Sequence, residues 1–231
     1  MSALASLHGL TVRYHGHCAL DGVDGVLEQG SLTAVVGANG AGKSTLLKAM
    51  LGLVPLAAGR IELHLPRQRI AYLPQQSGIE RGFPMLAREC VLLGAWQRVG
   101  LFARVPSAVQ TRVDQALDAV GMTDLARVPI AALSAGQFQR LLFARLMVQD
   151  ADLMLLDEPF NAVDAATTAL LLSLIHAWHA QGRTVLAVLH DHAQVRGHFP
   201  QALLLARRVL AWGDTSTVLC DASADKARDA A

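Results

Sequence analysis

Gly37-Ala38-Asn39-Gly40-Ala41-Gly42-Lys43-Ser44 fits the pattern G-x-x-x-x-G-K-[ST]. The glycines let the backbone curl until successive N–H groups face one anion, at positions where side chains would block phosphates. Lys43 has the reach for β- and γ-phosphates, and the Ser44 hydroxyl has the chemistry to ligate Mg²⁺. Leu32-Thr33-Ala34-Val35-Val36 precedes the pattern and reads as a buried strand; Leu46, Leu47, Met50 and Leu51 follow Thr45 at helical spacing. The helix N-terminus adds roughly half a positive charge. Strand, glycine-rich turn and helix in this order imply a nucleoside triphosphate site. A turn of the same composition that binds nothing is the bland alternative.

Two further stretches carry chemistry. The apolar run Leu153-Met154-Leu155-Leu156 stops at Asp157-Glu158-Pro159. At the carboxyl edge of a sheet beside a nucleotide, Asp157 would hold Mg²⁺ directly or through water. Glu158 would polarise an attacking water as a general base, or at least orient it. Acidic residues also end strands simply because they face solvent. Ser134-Ala135-Gly136-Gln137 precedes a helix containing Leu141, Leu142, Ala144, Arg145, Leu146 and Val148. Ser134 is either an ordinary N-cap or part of a second phosphate cradle, with a hydroxyl and free amides aimed at a γ-phosphate. Since the chain already has one cradle, a second makes most sense acting on nucleotide bound by another copy.

Tyr14 is a core aromatic or an exposed ring on which a base stacks; its position alone does not choose. His15 and His17 flank Gly16 in a turn, and with no Cys, His or carboxylate cluster to complete a shell they read as solvated rather than as a metal pair. His190 and Asp191 come at the carboxyl end of a strand from Thr184 to Leu189.

The elements that must position these groups alternate in type. Strands are expected over residues 4–13, within 18–30, at Arg60–Leu65, Arg69–Leu73 and Gln201–Leu205, with a hairpin through Arg207 to Trp212. From 77 to about 150 the texture becomes helical, at Leu86–Ala95, Ala108–Val120 and Gly136–Gln149. A helix from Ala165 to Gln181 should close at Gly182, and the tail from Asp221 reads as a frayed helix. With 231 residues, 52% hydrophobic and only 5% aromatic, the chain suits one α/β domain whose strands are covered on both faces. A net charge of +1 gives no electrostatic case for nucleic acid. The chain has no apolar run long enough to span a membrane and no secretory signal pattern. Its three cysteines, Cys18, Cys90 and Cys220, are scattered as in a reducing cytosol.

Taken together, the motifs resemble the nucleotide-binding subunit of an ATP-binding cassette (ABC) transporter from about Leu7 to Leu219. They run in the family's order: Tyr14 as the adenine-stacking aromatic, GANGAGKST as Walker A, Gln75 as the Q-loop, LSAGQ as the signature, LMLLDE as Walker B, NAVD as the D-loop, and His190 as the switch histidine. The resemblance implies a P-loop NTPase of α/β class with a mainly parallel central sheet. Residues 1–76 and 151–220 would form a RecA-like core with an N-terminal antiparallel β subdomain, 77–150 an inserted helical subdomain with the signature, and 221–231 a tail. It implies ATP and Mg²⁺ as cofactors, with Gly37 to Thr45 around the phosphates, Ser44, Gln75 and Asp157 at the metal, and Lys43, Glu158 and His190 in catalysis. Two subunits would close head to tail on ATP, with Ser134 to Gln137 completing the partner's site and Asp164 coupling the two.

With one cassette and no membrane span, the resemblance implies a separate permease contacting the region 75–95 and, indirectly, an extracytoplasmic substrate-binding protein. The subunit would be cytoplasmic, on the inner face of the membrane. Glu80-Arg81-Gly82-Phe83-Pro84-Met85 followed by Val91-Leu92-Leu93-Gly94 resembles importers for zinc, manganese or chelated iron, and would form the apolar groove for the permease's coupling helix. Import of iron-siderophore, heme or another small solute is the alternative. Soluble relatives acting on nucleic acid or ribosomes carry paired cassettes or long insertions that this chain lacks; a binding module without hydrolysis would not need both Glu158 and His190. Two positions depart from the family: Ala135 stands where glycine is usual, and Asn161-Ala162-Val163-Asp164 where S-x-L-D is common. Alanine costs little if residue 135 has negative φ but about 1 kcal/mol or more if it is left-handed; with Ser134, Gly136 and Gln137 still in place, weakened rather than lost turnover is expected.

Overall fold

The structure is a computed structural model that describes residues 2–75, 82–100 and 104–220. Gln76, the Glu80-Arg81 pair and the tail from Asp221 lie outside the described residues.

Two sheets share the work. β1 (Ala3–Tyr14) and β2 (His17–Glu28) form a long hairpin, and β4 (Ala58–Leu63) pairs with β1 to give an antiparallel sheet of order β2-β1-β4. The second sheet holds β3 (Leu32–Val36), β5 (Ile70–Leu73), β6 (Leu153–Asp157), β7 (Thr184–Val188), β8 (Gln201–Ala206) and β9 (Arg208–Asp214) in the order β5-β6-β7-β3-β8-β9. Its pairings are parallel except that β9 runs antiparallel to β8. β4 starts at Ala58 and ends at Leu63, two residues earlier than its pattern predicts, because Thr11 of β1 pairs with Ala58.

The parallel strands are buried on both faces, so their sequences are apolar runs rather than alternations. The faces still differ. Val35, Leu153, Leu155, Leu186, Val188, Leu203 and Leu205 pack with the antiparallel sheet and α1 (Lys43–Met50). Their neighbours Ala34, Val36, Met154, Leu156, Val185 and Ala187 face the other core. That core receives α2 (Ala87–Leu92), α3 (Trp96–Val99), α4 (Ser107–Ala119) and α5 (Ala135–Gln149) together with α6 (Ala165–Ala180) and α7 (His192–His198). Among the described residues no helix is long and apolar enough to cross a membrane.

The helix expected over 86–95 continues as a 3-10 turn at Leu93–Ala95 and then α3. Gly182 ends α6 with φ 79 and donates its N–H to His179 O at 2.8 Å. α7 is not predicted by the sequence pattern: Val195 is its one buried residue, and its start is set by Asp191, whose carboxylate accepts the N–H groups of Ala193 and Gln194 at 2.8 and 3.3 Å. The segment 215–220 is also helical.

Phe143 of α5 and Trp178 of α6 stack with ring centroids 5.6 Å apart and planes 11° from parallel, both buried. Aromatic pairs of this kind add to area burial, and this one joins the signature helix to a helix of the sheet layer. Phe143→Ala should lower stability by about 3–5 kcal/mol, the usual range for Phe→Ala in a core, measured as the shift of the urea unfolding curve.

Candidate functional site

β3 delivers the chain to a turn that the rest of the fold grips from two sides. At Gly37, φ is 154 and a Cβ would lie 2.1 Å from Leu205 O; at Gly42, φ is 96 and a Cβ would lie 2.5 Å from Ala19 O. No side chain fits at either place. The β8–β9 corner adds a direct hold, since Arg207 N–H donates to Ala41 O at 2.9 Å while Asp21 N–H donates to Arg207 O at 2.9 Å. Arg207 itself has φ 61. Ala38, Asn39 and Gly40 form the exposed lip, and α1 begins at Lys43.

Lys43 is only 6% exposed, and its ammonium donates to Gly37 O at 2.8 Å and Ala38 O at 2.9 Å. Burial pulls its pKa below the ordinary lysine value, opposed by the charges of Glu158 and Asp157. Ser44 donates from Oγ to Asp157 Oδ1 at 2.9 Å, across the join between α1 and the end of β6. Asp157 is 1% exposed, and burial raises its carboxyl pKa while the Ser44 hydrogen bond works the other way. Thr45 follows in the first turn of α1, half-buried.

Beside Asp157 lies Tyr72 of β5. Its hydroxyl is buried and makes no hydrogen bond of normal geometry. Burial first, then the nearby Asp157 carboxylate, push the phenol up to about 12.

Glu158 comes just past β6 with φ 53, a left-handed conformation rare for a glutamate. Its own N–H donates to Val188 O at 3.2 Å. Three side chains converge on its carboxylate: His190 Nε2 is 2.6 Å from Oε1, Gln75 Nε2 donates to Oε2 at 2.8 Å, and Asn161 Nδ2 donates to the same oxygen at 3.3 Å. Lys43, Ser44, Asp157, Glu158, Gln75 and His190, distant in sequence, therefore share the carboxyl edge of the parallel sheet. Arg207 belongs to this ensemble although nothing in its local sequence marks it, and Asn161, the first residue of the NAVD stretch, joins it through the Glu158 carboxylate.

The remaining candidates lie elsewhere. Tyr14 ends β1 opposite His17 with an exposed ring, at the same end of the hairpin as Ala19 and Leu20, which flank Gly42. Ser134, Ala135, Gly136 and Gln137 gather at the N-terminus of α5, which packs on α2, α4 and β5, while the glycine turn sits between β2 and β8. Ser134 Oγ accepts Gln137 N–H at 3.2 Å and Gln137 Oε1 accepts Ser134 N–H at 2.9 Å, a reciprocal cap. Ser134 and Ala135 are exposed. Gly136 adjoins the start of α6, where Asp164 accepts Thr167 N–H at 2.7 Å; that bond holds the Asp164 carboxyl below its ordinary pKa.

Ala135 is the first residue of α5 and is absent from the left-handed residues, among which the D-loop contributes Ala162 at φ 57. The feared backbone cost at position 135 does not arise. Ala135→Gly should accordingly relieve nothing: in urea denaturation its stability should fall by up to about 1 kcal/mol, the helix-propensity difference between the two residues, and a rise would contradict this geometry.

Comparison with known proteins agrees with this arrangement. Residues 20–161 match the family described as ABC transporter. The chain is 40% identical over 217 residues to the manganese transport system ATP-binding protein MntB of Bacillus subtilis (strain 168), covering 92% of this chain and 87% of that protein. It is 41% identical over 209 residues to the zinc transport system ATP-binding protein TroB of Treponema pallidum (strain Nichols), covering 88% and 79%. Among solved structures it resembles an inward-facing transporter classed as metal-chelate type, with TM-score 0.83, 32% identity, and coverage of 94% of this chain and 86% of the other. An ATP-binding cassette in its ADP conformation matches in fold at TM-score 0.82 with 19% identity, covering 96% of both chains.

Proposed function

This chain belongs to the ABC transporter family as an ATP-hydrolysing subunit, and from that premise we propose that it drives import of a metal ion, manganese or zinc, through a separate permease. The carrying observation for the chemistry is the Glu158 carboxylate held by His190, Gln75 and Asn161 beside the Lys43–Ser44–Asp157 group. That for the cargo is the 40% and 41% identity to manganese and zinc transport subunits.

The amides of the turn from Gly37 to Thr45 would cradle the β- and γ-phosphates of ATP, with Lys43 adding charge. The donor set fits a divalent cation: the Ser44 hydroxyl and the Asp157 carboxylate lie 2.9 Å apart, with Gln75 close by on Glu158. When bound, Mg²⁺ supplies neutralisation of charge on the phosphate oxygens. Glu158 then takes the proton of the attacking water. His190 keeps that carboxylate turned toward the γ-phosphate, and Gln75 links the carboxylate to the permease side. Tyr14, exposed near the turn, suits stacking on the adenine ring.

Ser134 and Ala135 are exposed, and Ser134 to Gln137 sit on a different element from the glycine turn, which supports their use on the ATP of a second copy in a head-to-tail dimer. Asp164, which caps α6 beside Gly136, would couple the two sites. The permease would dock its coupling helix in an apolar groove of about 300 Å³ lined by Phe83, Met85, Leu92, Trp96 and Val99. Phe83 and Trp96 are 56% and 47% exposed there, more than a buried core requires. In this reading the protein works in the cytoplasm, on the inner face of the membrane, with a substrate-binding protein outside.

Glu158→Gln should cut ATP hydrolysis at least 100-fold, the scale of lost general-base catalysis, while titration with a fluorescent ATP analogue shows unchanged affinity; turnover at the wild-type rate would remove Glu158 from the role. For the cargo, a strain lacking this chain should fail to grow in metal-depleted medium and recover with added manganese or zinc. Recovery only with an iron chelate would favour the metal-chelate class of the 32% identical structure, and recovery with no metal would refute metal import.

A further inference from the structure

The buried hydroxyl of Tyr72 has no place in the scheme above. Tyr72 lies on β5 opposite Leu155 of β6, so Asp157 is two residues further along on the same face. Diagonal neighbours on one face of a sheet are within reach of an aromatic side chain. The face is the one covered by α1, where Tyr72 packs against the cluster that includes Leu155, Leu46 and Leu47. A phenol oxygen in that setting with no hydrogen bond of normal geometry is costly unless it serves an acceptor, and the Asp157 carboxylate is the acceptor diagonal to it on the same face.

Asp157 in turn needs a second donor. It is almost fully buried, and among the described residues its side-chain hydrogen bond is the one from Ser44. Ser44 is also the hydroxyl that would bind the cation, so it cannot by itself fix the carboxylate against rotation. A tyrosine hydroxyl carries its proton, and so can donate, across the physiological pH range.

We propose that Tyr72 is a positioning residue for the metal site: its buried hydroxyl donates to Asp157 and holds that carboxylate turned toward Ser44. The proposal rests on the reading of Asp157 as a metal holder.

Equilibrium binding of a fluorescent ATP analogue, titrated with Mg²⁺ and again with EDTA, tests it without recourse to turnover. The quantity read is the gain in affinity conferred by Mg²⁺. Tyr72→Phe should leave the EDTA affinity unchanged and reduce the Mg²⁺ gain three- to tenfold. Asp157→Asn should reduce the gain further, and the double variant should do no worse than Asp157→Asn alone, since Tyr72 acts through Asp157. If Asp157→Asn loses the gain and Tyr72→Phe keeps it, the role of Tyr72 is refuted while that of Asp157 stands. If Asp157→Asn keeps the gain, the metal reading fails and takes the inference with it. Equal losses with Mg²⁺ and with EDTA in Tyr72→Phe would mean a purely structural tyrosine and refute the proposal. Because the gain is a ratio within one protein, an unfolded fraction lowers both amplitudes without imitating the effect; Tyr72→Met gives the same comparison if Tyr72→Phe folds poorly.

Discussion

The turn after β3 depends on two close approaches of backbone to backbone. Gly37 rides against the carbonyl of Leu205 and Gly42 against that of Ala19. Any side chain at these positions would overlap a carbonyl and force a left-handed φ on a residue with a Cβ. The direction of the turn's amides is thus set by β8 on one side and β2 on the other, and Arg207 locks the corner by donating to Ala41. The same clasp couples the antiparallel sheet, with exposed Tyr14 at its hairpin end, to the residues that would hold phosphate.

The alternation of the parallel strands decides where each carboxylate goes. Asp157 continues the register of Leu153 and Leu155 and so falls on the α1 side, next to Ser44 and Tyr72. Glu158 follows immediately but leaves the strand in a left-handed conformation, a strain of about 1–3 kcal/mol. The compensation is visible: a backbone bond to Val188 and a carboxylate ringed by His190, Gln75 and Asn161. Donors fixed in advance around a group that must handle a proton avoid reorganisation during reaction.

Two surfaces carry what the compact core does not use. The paired N-termini of α5 and α6 present Ser134 and Ala135 outward beside Gly136 and Asp164, and the apolar groove between Phe83 and Trp96 opens on the helical side. In the proposed function the first serves a second copy and the second a membrane subunit. The helical segment joins a helix of the sheet layer through the Phe143–Trp178 stack.

Short-range pattern alone determined much of this protein: the strand and turn ending at Ser44, the capped helix after Ser134, the stop at Gly182, the two carboxylates after an apolar run. Each follows from a spacing of a few residues, where backbone conformation and side-chain period act locally. Even the departure at Ala135 adds no left-handed backbone for a local reason, its place in the first turn of α5. What only the tertiary structure decided involves strands far apart in sequence. The order β5-β6-β7-β3-β8 brings Gln75 and His190 to either side of Glu158, sets Tyr72 beside Asp157, and puts Arg207 against the glycine turn. α7 escaped for a related reason: with one buried residue it has no apolar period, and the cap from Asp191 starts it. Periodicity reports which face of an element is covered; strand order, set by packing of the whole chain, decides which elements meet.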